Sequence, residues 1–186
     1  MPLSLFSRGE PMSDAEPTDV ASLAHGYGRS VFCAAYRVLG DTAQAEDVQQ
    51  EVFMRLLEKP ARDIASWPAY LTTLATRMSI DRLRRYQRWR RLMPVWRASV
   101  PTAFDSTVDD AIQADRARQL RLALCRLKPK EAECFTLRHL HGMEIAVIAQ
   151  VTEMTVNHVS VCLHRATRSL ETQLNESQTA TSPEVL

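Results

Sequence analysis

Two oppositely charged blocks carry most of the chemistry that this sequence offers. Residues 77–97 hold eight arginines against the single acid Asp81, a local balance of +7. Residues 41–58 hold five acids (Asp41, Glu46, Asp47, Glu51 and Glu58) against Arg55, a balance of −4. Guanidinium forks suit phosphate oxygens, whereas carboxylates suit a basic protein surface. The blocks nearly cancel in the net charge of +1 over 186 residues, so the segregation, not the sum, is informative. It points to two different partners rather than one uniformly basic binder.

Within the basic block, Arg77, Arg84 and Arg88 lie seven and four residues apart and share one helical face. That face presents cations to phosphates, and Tyr86 and Trp89 are of the type that stacks on unpaired bases. Two other readings stand beside this one. The arginines also make a solvated charged face whose aromatics complete a core, and basic helices carrying Trp lie on membrane surfaces. Arginine in place of lysine weighs against the membrane, because the planar cation matches phosphate and base edges. In the acidic block, Asp47, Gln50, Glu51, Met54 and Glu58 recur at helical spacing opposite an apolar stripe of Val48, Val52, Phe53, Leu56 and Leu57. An acidic face of this kind is ordinarily only solvated.

Catalysis finds little support: there is no Gly-rich phosphate loop, no H-E-x-x-H and no nucleophile elbow. Cys134, His139 and His141 precede His158, Cys162 and His164, but paired ligand spacing is missing and Cys134 falls in an apolar pattern. We therefore expect no metal, no cofactor and no enzyme activity. Cys33, Cys125, Cys134 and Cys162 form no C-x-x-C pair, and MPLSLFSRGEPMSD does not read as a secretory signal. No apolar run approaches the roughly 20 residues of a membrane span. A cytoplasmic chain with reduced thiols and no direct membrane insertion is the expectation.

The elements that must hold these groups are helices, since only five glycines occur and no sustained alternation suggests strands. One helix runs from about Val20 to Leu39 and stops at Gly40-Asp41; the acidic helix follows and stops at Lys59-Pro60. A third opens near Ser66 with Pro68 in its first turn, buries Leu71, Leu74, Ala75 and Met78, and continues into the arginines. Residues 93–108, with two prolines and no period, read as a linker. Beyond it, Ile112, Leu120, Leu124 and Leu127 mark a helix, and another extends from Pro129 to Gly142. Then a short apolar helix, MEIAVIAQV, a turn at VTEMT and a longer amphipathic helix have helix-turn-helix proportions. The expected architecture is all-α: two small helical domains, 21–92 and 109–175, joined by a flexible linker, the second containing the helix-turn-helix. Residues 1–20 and 176–186 read as disordered tails.

Several of these segments, in this order, resemble the extracytoplasmic-function group of bacterial RNA polymerase sigma factors. AEDVQQEVFMRLLEK is similar to that group's A-E-D-x-x-Q-E-x-F-x-R-L signature at Ala45, Glu46, Asp47, Gln50, Glu51, Phe53, Arg55 and Leu56. SWPAYLTTLATRMSIDRLRR resembles its W-x-x-x-I-A-R-N-x-x-I-D-x-x-R-R pattern at Trp67, Ala75, Arg77, Ile80, Asp81, Arg84 and Arg85. LKPKEAECFTLRHLHGMEIAVIAQ and the closing LHRATRSL resemble two further segments, so the likeness spans about Ala24 to Leu174.

The resemblance implies roles by position. Residues 21–92 would be the region 2-like domain, with Asp47, Gln50, Glu51 and Met54 docking core polymerase. Arg77, Asp81, Arg84, Arg85 and Arg88 would contact the promoter minus-ten element, and the loop at 59–66 would capture a flipped base. Residues 109–175 would be the region 4-like domain, with Asn157, His158, Ser160, Val161, His164 and Arg165 reading the minus-thirty-five element. Core RNA polymerase and promoter DNA are the implied partners, with an anti-sigma factor or membrane signal transducer as a further one. The recognition helix departs from the usual G-T-V-K-S-R-L: in NHVSVCL, Ser160 and Cys162 replace basic residues, which shifts expected phosphate anchoring to Arg165 and Arg168. Glu153 replaces a turn glycine, and Glu144-Ile145 replaces Ser-Tyr. The alternative is a helix-turn-helix regulator that binds duplex DNA without being a polymerase subunit.

Overall fold

The computed structural model describes residues 19–61, 63–92 and 108–179. The expected linker and tails fall outside these residues, apart from their edges. Val20 and Val108 each open a helix, and the final helix runs to Thr179, beyond the point at Asn175 where polar composition suggests a tail. Among the described residues all regular structure is helical: α1 (Val20–Leu39), α2 (Thr42–Glu58), α3 (Trp67–Leu92), α4 (Val108–Arg126), α5 (Pro129–Phe135), α6 (Ile145–Thr152) and α7 (Val156–Thr179).

Local chemistry explains the first hairpin. The Asp19 carboxylate caps α1 by accepting from the Ala21 and Ser22 amides at 3.1 and 3.3 Å. Bonds from the Ser22 hydroxyl and the Ala21 amide hold its pKa below the ordinary aspartate value. Gly40 ends α1 at φ 67°, and Asp41 starts α2 by accepting from the Gln44 amide at 2.8 Å. Two residues therefore make both caps. The Arg121 guanidinium of α4 lies over Gly40, 2.6 Å from where a Cβ would be, but as the end of a flexible side chain it could move aside; the positive φ is what calls for glycine here.

Val48, Val52, Phe53 and Leu56 turn inward from α2 as expected, but Leu57 does not: it is 67% exposed and lies outside the buried stripe. On α3, Leu71, Leu74 and Ala75 are buried, while Met78 is half-buried. The Thr73 and Thr76 hydroxyls are buried on the same helix and donate to the Ala69 and Thr72 carbonyls at 2.8 and 2.7 Å, so this polar burial is satisfied.

The second set of helices departs from expectation at one place. The helix from Pro129 does not continue uniformly to Gly142; over Thr136–Leu140 it widens into a π turn, with the His141 amide donating to the Thr136 carbonyl at 3.2 Å. The polypeptide leaves through Gly142 at φ 70°. Helices α6 and α7 are bent by 106° at their junction, within the helix-turn-helix range. Cys134, Leu137, Ile148, Ala149, Val159 and Cys162 form the core of that unit.

A larger core begins with α1, α2 and α3 and continues into Leu124 of α4, Leu127 just after it, Ala132 of α5, and Ala166 and Leu170 of α7. The two sets of helices are thus packed against each other, a relationship that helical periodicity does not encode.

Candidate polymerase and nucleic-acid interfaces

On α2 the side chains of Asp47, Gln50, Glu51 and Met54 are all exposed. This is more than a hydrated acidic face, for Met54 and the neighbouring Leu57 leave 58% and 67% of their surface uncovered. Large apolar groups set among carboxylates give a partner both a desolvation gain and a charge pattern to match. The face is tied down by Arg82 of α3, which reaches Asp47 at 2.9 Å, Glu51 at 3.4 Å and the Gln44 carbonyl at 3.2 Å. The helical wheel of Arg77, Arg84 and Arg88 passes over Arg82. Its signal was the i, i+4 spacing of Asp47 and Glu51, which places both acids where one guanidinium bridges them.

Between α2 and α3 lies a groove of about 460 Å³ lined by Glu51, Arg55, Met78, Asp81, Arg84, Arg85 and Arg88. It gathers Asp81, Arg84, Arg85 and Arg88 of the expected minus-ten set. Arg77 is drawn elsewhere: its guanidinium is ion-paired with Glu133 of α5, whose other oxygen lies 3.4 Å from Lys130. Arg84 also donates to the Leu127 carbonyl at 2.9 Å. Tyr86 and Trp89 are 47% and 48% exposed, so they do not complete a core. Their rings stack with centroids 6.3 Å apart, and Arg90 lies 5.9 Å from the Tyr86 ring centre. A π surface bordered by cations suits unpaired bases. The loop at 59–66 is described except for Arg62, and Asp63 within it takes φ 56°.

On α7, Asn157, His158, Ser160, Val161, His164 and Arg165 are all exposed, while Val159, Cys162 and Ala166 turn inward. The Thr155 hydroxyl accepts from the His158 amide at 3.2 Å and fixes the start of the helix. Ser160 donates to the Val156 carbonyl at 3.0 Å. Cys162, expected as a lost phosphate contact, is instead 5% exposed and packs beside Cys134, so its side chain belongs to the core. Arg165 and Arg168 are exposed and remain the cations of this helix nearest the turn.

Of the His and Cys positions, Cys134 and Cys162 pack inward and His141 is half-buried, whereas His139, His158 and His164 are exposed. Among the described residues no group of three His, Cys, Asp or Glu side chains could hold a metal ion. Burial, helped by Cys162 and Glu133, pushes the Cys134 thiol up to about 12, which leaves it an unreactive apolar group. His141 packs against α3, its Nε2 3.0 Å from Thr76 Oγ1. The Thr76 proton is already given to the Thr72 carbonyl, so His141 must donate through Nε2–H, and its buried Nδ1 has no hydrogen-bond partner. Burial, with Arg37 nearby, lowers its pKa to about 4. No single described helix is long and apolar enough to cross a membrane.

Comparison with known proteins places these features. Residues 23–90 match the model for Sigma-70 region 2, and residues 117–170 match that for Sigma-70, region 4. The chain is 32% identical to the probable ECF RNA polymerase sigma factor SigI of Mycobacterium tuberculosis over 93% of its own length, and spans 59% of that relative. It is 28% identical to the ECF RNA polymerase sigma factor SigK of Mycobacterium bovis, covering 86% of this chain and 89% of SigK. The crystal structure of Mycobacterium tuberculosis SigJ aligns with a TM-score of 0.46 and 23% identity, over 82% of this chain and 53% of that one. The two sigma-70 regions in order, each carrying the helices described above, establish that this chain belongs to the extracytoplasmic-function group of the sigma-70 family.

Proposed function

We propose that this chain is an alternative sigma factor that binds core RNA polymerase, recognises minus-thirty-five and minus-ten promoter elements and assists melting, without catalysing a reaction itself. The observation that carries this reading is the coexistence of two different surfaces on the region 2 helices. The α2 face mixes carboxylates with exposed Met54 and Leu57, and α3 contributes the arginines of the groove and, separately, an exposed stacked aromatic pair, Tyr86 and Trp89. The first suits a protein and the second suits a nucleic acid whose bases are unpaired.

In this reading Asp47, Gln50, Glu51 and Met54 contact the polymerase. Asp81, Arg84, Arg85 and Arg88 follow the nontemplate strand, joined by Arg77 when it is free of Glu133. On α7, Asn157, His158, Ser160, Val161, His164 and Arg165 face the minus-thirty-five major groove, an exposed polar helix face of the kind that reads base edges. The domains run over 21–92 and 109–175. The protein works in the cytoplasm, and an anti-sigma factor or a membrane signal transducer controls it by covering one of these surfaces.

The test is co-purification of the full chain with core polymerase, followed by transcription from promoters mapped after its overexpression. Stable core binding and new transcript starts are the expected result. A chain that ignores core polymerase yet binds duplex DNA tightly on its own would replace this reading with that of a free-standing regulator.

A further inference from the structure

Helix α7 turns one line of side chains directly away from its core. At about 100° per residue, Val159, Cys162, Ala166 and Leu170 mark the buried side, and Asn157, Val161, His164 and Arg168 fall within about 60° of one another on the opposite side. Three of these four are polar or cationic; Val161 is not, and it stands exposed within the line. Given the sigma activity proposed above, on which this rests, we propose that Val161 is a specificity-determining residue of the minus-thirty-five contact. Its isopropyl group packs on the C5-methyl of a thymine, Asn157 pairs with an adenine and Ser160 accepts from a base amino group. The element read by α7 is thus centred on A·T pairs, without a guanine at Ser160.

A single exposed valine is ordinary on a protein surface, and position is what makes this one informative. A β-branched residue gains nothing at an exposed helix position: its helix propensity is below that of alanine or lysine, and it leaves apolar surface in water. In the major groove the same two methyl groups, held in one preferred rotamer, make a rigid surface for the thymine methyl. The surroundings suit nucleic acid rather than a protein. From Val156 to Leu170 the helix has no acid, and it carries His158, His164, Arg165 and Arg168. That charge complements the phosphates bordering the groove.

The neighbours of Val161 narrow the base sequence. Asn157 stands one turn earlier on the same line, and its amide has the acceptor and donor that match adenine N6 and N7. One helical turn rises about 5.4 Å against about 3.4 Å per base pair, so the two side chains reach bases no more than about two pairs apart. Ser160 lies beside them, and its hydroxyl proton is given to the Val156 carbonyl at 3.0 Å. Only its lone pairs then face DNA. They accept from the amino group of adenine or cytosine and offer nothing to guanine O6 and N7, which need a donor. No cation occupies the helix between His158 and His164, so no guanidinium or ammonium stands there to bind a guanine.

For the test, the full chain is loaded on core polymerase and selects promoters from a duplex library randomised through the minus-thirty-five window. Single thymines in the selected element are then replaced by deoxyuridine, which lacks the methyl group. The parent holoenzyme should select at least one thymine whose replacement weakens promoter binding about fourfold, the effect of one buried methyl group. Val161→Ala should erase that difference, and Ser160→Arg should bring a guanine into the selected element. Both side chains are exposed, so neither change removes a core group. Selected elements with no methyl-dependent thymine, or a deoxyuridine penalty that persists in Val161→Ala, would overturn the role of Val161 and leave the sigma reading standing. Weaker core binding by Val161→Ala with unchanged thymine discrimination would overturn it too, and make this face a protein contact. A Ser160→Arg selection identical to that of the parent would remove Ser160 from base reading. A parent chain that fails to bind core, or selects no minus-thirty-five sequence, would sink the sigma reading and the thymine contact together.

Discussion

Arg82 of α3 and Asp47 of α2 meet at 2.9 Å, and the same guanidinium lies 3.4 Å from Glu51. The basic and acidic blocks are therefore joined at one point: a residue of the arginine-rich helix, proposed to face DNA, orients the acids of the proposed polymerase-docking face. Because both carboxylates are about half exposed, each bridge is worth at most about 1 kcal/mol. Arg82→Ala should lower unfolding free energy by less than about 1.5 kcal/mol, yet weaken core-polymerase binding several-fold, since the acids lose their fixed orientation. Urea denaturation and a core titration separate the two effects. A large stability loss with unchanged core affinity would show that Arg82 serves only the fold.

The two surfaces should fail independently. Asp47→Ala with Gln50→Ala removes exposed groups from α2 and should cost tenfold or more in core binding without changing helicity. Arg85→Ala with Arg88→Ala removes exposed guanidinium groups from the groove, leaves core binding intact and reduces open-complex formation. The salt dependence of promoter binding should become shallower by about one logarithmic slope unit per phosphate contact removed. If both pairs impair the same step, the assignment of one face to protein and the other to DNA is wrong.

Glu153 carries a local strain that can be relieved. It occupies the turn between α6 and α7 in left-handed geometry, φ 55° and ψ 38°, where a Cβ costs about 1 kcal/mol. Its amide donates to the Gln150 carbonyl at 3.3 Å, and the next amide closes on the Ala149 carbonyl at 2.9 Å, so the backbone is held there by its own hydrogen bonds. Glu153→Gly should stabilise the chain by up to about 1 kcal/mol, read as a higher urea midpoint with an unchanged slope. A lower midpoint would mean that the carboxylate has a stabilising role that outweighs the strain.

Local rules made the helices legible. Gly40-Asp41 and Lys59-Pro60 announce stops through φ preferences, and the structure ends α1 and α2 there; the capping roles of Asp19 and Asp41 emerge only from the structure. The set on α7 comes from the family resemblance, and its exposure agrees with period 3.6, which separates it from Val159, Cys162 and Ala166. Cys162 itself shows the limit: substitution relative to a family pattern suggested a lost DNA contact, while its inward phase on the same helix meant core. What sequence did not disclose is everything set by the meeting of distant helices. Glu133 and Arg77 are 56 positions apart and Thr76 and His141 are 65 apart, and no periodicity links them. Leu57 fits an apolar stripe by spacing but faces solvent. The π turn after α5, which carries His141 toward α3, left no mark in composition.

His141 gives the packed arrangement a dependence on pH. It enters the interface neutral, with Nε2–H given to Thr76 and Nδ1 bare, and a proton at Nδ1 would be a buried charge beside Arg37 of α1 with no acceptor. Thr76, on α3, is uncharged, and the α5 carboxylate Glu133 is committed to Arg77 and Lys130. The folded pKa is about 4 against 6.5 for the free side chain, so the unfolded chain binds the proton first as pH falls. The contribution is therefore fully present above about pH 6.5 and is lost progressively between 6.5 and 4, by an amount on the order of 3 kcal/mol. His141→Gln keeps a donor for Thr76 but cannot titrate. Carboxylates elsewhere affect both proteins alike, so the difference between their stability-versus-pH curves isolates this histidine. Between pH 7 and 5 the parent should lose about 2 kcal/mol more than the variant, measured by urea denaturation at each pH. Parallel curves would mean that His141 meets water in the folded chain, and the tight seat against Thr76 would have to be abandoned.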